Sequence, residues 1–205
     1  MKLYHLVTGL LHVNTYILVK EDTKECVIID CGERYKQLKQ ALDSMGVKPV
    51  AVLLTHAHFD HSGCAKKLQD DGAKIFISKL DAPKLKNDDN LGVDFGRKFE
   101  YLTADFTFDD QDELTVCGIN FKVIATPGHT DGSVCFLVEN MLFTGDTLFY
   151  GTVGRTDFKS GSRQDMVLSV KKLFVLDGDY SVYPGHDEFT TLDNERKYNV
   201  LAEYD

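Results

Sequence analysis

The stretch Thr55-His56-Ala57-His58-Phe59-Asp60-His61 places three imidazoles and a carboxylate within six consecutive positions, directly after an apolar run. Imidazole nitrogen and carboxylate oxygen are ligands of divalent transition metals, so a cluster this dense reads as a metal site. On a helix His56 and His58 would point about 200° apart, whereas at an extended strand exit residues i and i+2 share a face and can reach one ion. The motif therefore needs a strand in front of it. Val50 to Leu54 supplies one, short and uninterrupted, suited to a sheet covered on both faces. Asp60 and His61 follow where Ser62 can cap a helix through Leu68, and the spacing predicts that they face away from the first pair, so that one loop addresses two ions. The alternative, four polar residues on a wet loop, needs a chance clustering of ligand types.

The elements that must hold this loop can be read on either side of it. Leu3 to Val7 and Thr15 to Val19 read as strands joined by a turn around Gly9 to Asn14, and Cys26 to Ile29 is a third strand, ending in Asp30-Cys31-Gly32. Asp30, at that strand end, is either a turn former or an acceptor that orients a ligand imidazole from behind. Tyr35, Leu38, Leu42 and Met45 recur at helical spacing before Gly46, which predicts an amphipathic helix over 33–45 and, with the strand that follows, a βαβ unit. Lys74 to Ser78 is a further strand. Residues 79–112 are polar, acidic and weakly periodic, expected to be a solvated excursion, with a lid over the site as the alternative.

The second half repeats the pattern of strand, turn and ligand. Ile119 to Ala125 runs into Thr126-Pro127-Gly128-His129, Met141 to Phe143 into Thr144-Gly145-Asp146, and Tyr180 to Tyr183 into Pro184-Gly185-His186. Ligands outside the carboxyl ends of strands are the rule for open α/β sheets, and a glycine beside each permits a turn tight enough to bring the side chain inward. A lone His129 or His186 would carry little. Five of the seven histidines nevertheless fall in these places, leaving His5 and His12 outside. Met166, Val167, Val170, Leu173 and Phe174 mark one face of a core helix, and Thr190-Thr191-Leu192-Asp193 can cap a last helix running toward Ala202.

Taken in order, His56, His58, Asp60 and His61, then His129, Asp146 and His186, resemble the metallo-β-lactamase superfamily, whose motif is HxHxDH followed by distant His, Asp and His. The likeness spans nearly the whole chain. It implies an α/β fold of the four-layer αββα sandwich type, with helices outside two packed sheets and a dinuclear site at one edge. By the same resemblance His56, His58 and His129 hold one ion, Asp60, His61 and His186 the second, and Asp146 bridges them. Asp at 146, where the best-known β-lactamase subclass has Cys, argues against antibiotic hydrolysis, and His58 argues against the flavodiiron branch, which has Glu there. Thr126 to Ser133, Phe143 to Asp146, Gly154 to Phe158 and Pro184 to His186 look most like the glyoxalase II group, the hydroxyacylglutathione hydrolases. That group continues into a helical C-terminal domain that contributes glutathione-binding residues. A single domain over 1–205 without it is expected here.

The activity this resemblance implies is metal-dependent hydrolysis of thioesters such as hydroxyacylglutathione. A water shared by two ions has its pKa pulled from about 15.7 toward about 7, so hydroxide is available to attack the carbonyl. Asp60 would be catalytic as well as a ligand, accepting a hydrogen bond that aims the nucleophile. Imidazole and carboxylate suit zinc, iron and manganese, with zinc the first expectation for hydrolysis. Arg155 is expected to recognise a substrate anion, with Tyr150, Lys159 and Arg163 as lesser contributors. The rivals on the same fold are a mononuclear iron persulfide dioxygenase, in which His56, His129 and Asp146 form a two-histidine, one-carboxylate triad, and a lactonase or phosphodiesterase on the dinuclear site.

Composition bounds the rest. With 205 residues, 43% hydrophobic and 27% charged, the chain suffices for one sizeable core. A net charge of -9 disfavours a nucleic-acid partner. Five cysteines without a CxxC pair do not make a disulfide framework and fit a reduced compartment. Neither a leader-like segment nor a run of about 18 apolar residues occurs, so a cytoplasmic protein without a membrane partner, acting on a small anionic thioester, is expected.

Overall fold

A computed structural model describes residues 1–202. In chain order the strands and helices are β1 (Lys2–Thr8), β2 (Val13–Lys20), β3 (Glu25–Ile29), α1 (Tyr35–Met45), β4 (Lys48–Leu53), α2 (Phe59–Ser62), α3 (Ala65–Asp70), β5 (Lys74–Ser78), β6 (Phe106–Phe108), β7 (Glu113–Val116), β8 (Ile119–Ala125), β9 (Val134–Val138), β10 (Met141–Gly145), β11 (Leu148–Phe149), β12 (Thr152–Val153), α4 (Arg163–Phe174), β13 (Ser181–Pro184), β14 (Thr190–Thr191) and α5 (Leu192–Tyr198). They form two six-stranded sheets, ordered β1-β2-β3-β4-β5-β6 and β14-β13-β10-β9-β8-β7, and a small β11-β12 ribbon.

Strand periodicity explains the layering. Successive side chains point to opposite faces, and here both faces are covered. Tyr16, Leu18, Val27, Ile29, Ala51 and Leu53 meet Phe121, Val123, Val134, Phe136 and Phe143 between the sheets. The alternate residues of the first sheet, Ile17, Val19, Ile28 and Val52, pack under Leu38 and Leu42 of α1 and Leu68 of α3. The alternate residues of the second, Ile124, Cys135 and Leu142, pack under Met166, Val170 and Leu173 of α4 and Leu192 of α5. Three apolar interfaces separate four layers, an αββα sandwich.

Several local expectations need correction. Ser62 does not cap a helix: it closes the short α2, its hydroxyl donating to the carbonyls of Ala57 and His58, and α3 begins separately after Gly63 and Cys64 with no side-chain cap. The segment 79–112 is not merely solvated. Lys84, Leu85, Asn90 and Leu102 are buried in it, two 3-10 turns organise it, and it contributes edge strand β6 to the first sheet. The last helix ends at Tyr198, short of Ala202, with Thr191 as its cap, accepting from the Asn194 amide. The five cysteines are free thiols, and among the described residues no helix is long and apolar enough to cross a membrane.

Candidate metal centre

The ends of β4, β8, β10 and β13 open onto one edge of the sandwich. His56 and His58 follow β4, Asp60 and His61 ride on α2, His129 follows β8, Asp146 follows β10 and His186 follows β13. One sheet thus contributes four of the seven groups and the other three. Tight backbone makes this possible. Gly145 has φ +48°, and a Cβ on Gly185 would lie 2.4 Å from Asp146 Oδ1 and 2.7 Å from His61 Cε1, so only glycine lets the last two loops close on the site.

Three sets of ligand atoms lie within 4.8 Å of one another: His56, His58 and His129; His56, His61 and Asp146; and Asp60, His61 and His186. Asp60 and His61 do not turn away from the first pair, contrary to the spacing argument. The His56 and His61 rings are 4.1 Å apart, because the helical turn starting at Phe59 folds back over the loop. The seven groups form two contiguous clusters. Asp146 stands between them, with Oδ2 3.3 Å from His129 Nε2 and Oδ1 3.2 Å from His61 Nε2.

The groups behind the site determine which nitrogen faces inward. His129 Nδ1 donates to the Arg155 carbonyl at 2.7 Å, and His186 Nδ1 donates to the Leu11 carbonyl at 2.9 Å. His61 Nδ1 donates to Asp30 Oδ2 at 2.8 Å. The Thr55 hydroxyl also donates to Asp30 Oδ2, at 2.7 Å, so at 3.1 Å it is left to accept from His56 Nδ1. Each of these four imidazoles therefore turns its Nε2 into the cluster. His58 presents Nδ1 instead, 2.8 Å from His129 Nε2. Asp30, held at φ +52°, orients one ligand-type imidazole directly and another through Thr55.

Sequence reasoning missed a second brace. Asp81 is fully buried, and its Oδ2 accepts from the Ala57 amide at 2.8 Å and from the Thr130 hydroxyl at 3.1 Å, while Oδ1 pairs with the buried Lys84. Ala57 lies between His56 and His58, and Thr130 follows His129. One carboxylate therefore pins both loops of the first cluster. Its partners lie 24 and 49 positions away, and an Asp just before a 3-10 turn in a polar stretch gives no local signal. Asn14 and Tyr16 brace the remaining loop, donating to the Pro184 carbonyl at 3.0 and 2.6 Å.

Among buried side-chain atoms of the described residues, His56 Nε2 and Asp146 Oδ1 are left without a hydrogen-bond partner. Buried polar atoms are rarely orphaned, and both point into the cluster where a cation would satisfy them. The donor set, five imidazoles and two carboxylates, suits divalent metal ions.

A sequence profile described as the metallo-beta-lactamase superfamily matches residues 8–186. The chain belongs to the metallo-β-lactamase superfamily. Hydroxyacylglutathione hydrolase GloC of Haemophilus influenzae is 33% identical over 189 residues, 89% of each chain, and a probable metallo-hydrolase of Streptococcus pyogenes is 32% identical, covering 97% of this chain and 89% of its own. The crystal structure of BLEG-1 B3 metallo-beta-lactamase superposes with a TM-score of 0.93 at 31% identity, covering 98% of this chain and 100% of the other. TTHA1623 in a di-iron-bound form gives 0.87 at 30% identity over 97% and 99%. As a superfamily member the chain is a metallo-hydrolase by kinship, with its metal-suited cluster at the sandwich edge.

In this superfamily member the cavity over the cluster has a volume of about 370 Å³ and includes His58, Asp60, His129, Asp146, His186 and Arg155 in its lining. Arg155 is at the wall, with Nε and Nη2 donating to Asp157 at 2.9 and 2.8 Å. Tyr150 and Lys159 are not among the lining residues. Tyr150 sits at the exposed tip of the β11-β12 ribbon while its neighbour Phe149 takes the wall, and Lys159 is drawn to Asp89. Arg163 begins α4, behind the wall.

Proposed function

We propose that the protein is a dinuclear metal-dependent hydrolase of thioesters, with hydroxyacylglutathione-type compounds as the first substrates to test. The observation that carries this reading is the convergence of seven imidazole and carboxylate groups in which His56 and His61 each belong to two ligand sets. In it, His56, His58 and His129 would hold one ion and Asp60, His61 and His186 a second, with Asp146 between them as a ligand available to both. Zinc is the expected metal, and the di-iron form of TTHA1623 makes iron the alternative. Two such ions would supply hydroxide at neutral pH and a Lewis acid for the carbonyl oxygen.

The chain's own residues do the rest. Asp60, whose carboxyl is kept ionised by His61 and His186 against the pull of burial, would accept a hydrogen bond from the nucleophile and so aim its lone pair at the carbonyl carbon. The nucleophile's oxygen forms the new C–O bond, the C–S bond breaks, and the thiolate leaves with the electron pair. The products are a carboxylate, a thiol once the sulfur is protonated, and one released proton. Arg155 at the cavity wall offers its remaining N–H groups to a polar group of the substrate.

The test is metal analysis of purified protein together with thiol release from S-lactoylglutathione. Two metals per chain with release support the reading. One iron, no release and oxygen consumption with glutathione persulfide favour the oxygenase instead. A second reading, opening of a lactam amide, is supported by the whole-length likeness to BLEG-1 B3 metallo-beta-lactamase, since Asp146 argues only against the cysteine-bearing subclass. Turnover of a chromogenic cephalosporin faster than any thioester would favour it.

A further inference from the structure

The walls of the cavity over the two clusters are largely aromatic and aliphatic, made by Leu11, Phe59, Leu91, Phe95, Phe149 and Phe158. These side chains come from distant parts of the chain yet stand against each other and against both clusters. The Phe59 and Phe95 rings are 5.3 Å apart. Phe158 stands edge-on to His58 at 5.4 Å and to His129 at 5.8 Å, and Phe149 to His186 at 6.1 Å. At the mouth Leu11 and Phe95 remain 42% and 43% exposed, so apolar surface waits there for a ligand to cover it.

Charged groups are few on the wall away from the metal-suited clusters that hold Asp60 and Asp146. Asp187 is one, and Arg155 is the one Lys or Arg among the described residues that lines the cavity. Its guanidinium is engaged twice by Asp157 and lies 4.5 Å over the Phe158 ring. Seen from the cavity, that pair is close to neutral. A substrate arm bearing two carboxylates, as a glutathionyl group does, would shed water against rings that return no hydrogen bonds. An uncharged apolar arm would gain from leaving water and from ring contacts.

We propose that the cavity selects thioesters with an uncharged apolar arm, an aryl or branched alkyl group seated against Phe59, Leu91 and Phe95. This rests on the thioester reading above. Such substrates differ from the one named for the H. influenzae relative while using the same bond-breaking groups.

The experiment compares S-lactoylglutathione with the S-lactoyl thioester of benzyl mercaptan on metal-loaded protein, wild type and Phe95→Ala. The expected result is a kcat/KM for the benzyl thioester at least tenfold above that for S-lactoylglutathione, with Phe95→Ala cutting that ratio about tenfold. Equal values, or a preference for S-lactoylglutathione, overturn the proposal. If neither thioester is cleaved, the thioester reading fails, and calorimetry with the unreactive benzyl methyl sulfide and S-methylglutathione decides the question of apolar selection. Tighter binding of the sulfide supports it, and equal or tighter binding of S-methylglutathione overturns it.

Discussion

The cluster of His56, His58 and His129 and the cluster of Asp60, His61 and His186 lie side by side, yet burial has opposite outcomes in the two. In the first, burial and then the neighbouring imidazoles push His56 far below the usual histidine range, and burial with His129 pushes His58 down to about 3. In the second, burial acts the same way but is outweighed. Asp146, Asp60 and Asp30 hold His61 well above its usual value, and Asp146 with Asp60 raises His186. His56 and His58 therefore stay uncharged across the neutral range. The second cluster holds protons against its carboxylates, and a metal must displace them. On the dinuclear reading proposed above, the two halves would differ in how their metal affinity responds to pH.

The sharpest way to test that division is Asp60→Asn. It removes a carboxylate from the second cluster alone, and we expect kcat to fall about a thousandfold while one metal per chain remains on the histidine cluster, read by metal analysis. Asp81→Ala attacks the first cluster from behind. It releases the Ala57 and Thr130 loops and leaves Lys84 buried with Asp131 as its one remaining carboxylate, beside the Leu80 carbonyl, so unfolding in urea should show a loss of about 3 kcal/mol, and cobalt binding should weaken in the histidine cluster before the other. Lys84's raised pKa adds a check. Asp81 and Asp131 outweigh its burial, so its contribution is complete below about pH 10.4 and is lost as pH climbs through the folded value; the variant, left with Asp131 alone, should show a smaller alkaline decline.

Asp30→Asn should blur the difference between the halves. It puts N–H groups where His61 Nδ1 and the Thr55 hydroxyl both donate, and metal affinity should drop about 10- to 100-fold in both clusters, measured by cobalt titration. The smallest effect is on the metal-free protein. His58 has a folded pKa near 3 against about 6.5 unfolded, so its stability cost appears as pH falls below about 6.5. His61 has the opposite sign: its contribution is complete below about 6.5 and is lost as pH rises through its higher folded value. Urea midpoints measured from pH 5 to 9 should therefore be lower at both ends in wild type, and His61→Gln should shrink the decline at the alkaline end to the part that the raised His186 contributes.

The sequence made the ligand-type groups legible because metal chemistry draws on few residue types and because strand exits with glycines announce themselves. His56 through His61 and the three later turns needed no tertiary information to be picked out. Their mutual direction did need it. The return of Asp60 and His61 toward His56 depends on a four-residue helical turn whose Ser62 hydroxyl bonds backward, and spacing along the chain does not encode that. Residues 79–112 read as a solvated excursion for a related reason. Lys84, Asn90 and Asp81 look like wet surface until partners from loops far along the chain are placed beside them. The substrate wall shows the same limit, since Leu11, Phe95 and Phe158 lie on three stretches with no common pattern. Tyr150 was singled out although its neighbour Phe149 faces the cavity, a difference of one residue that a two-residue strand decides.

Crystals of the metal-loaded protein, measured across the absorption edge of the bound metal, would test the central claim most directly. The account predicts two anomalous peaks close enough to share Asp146, one on His56, His58 and His129 and the other on Asp60, His61 and His186. A single peak under full loading, or an ion that leaves His61 and His186 bonded only to Asp60 and Asp146, would contradict it.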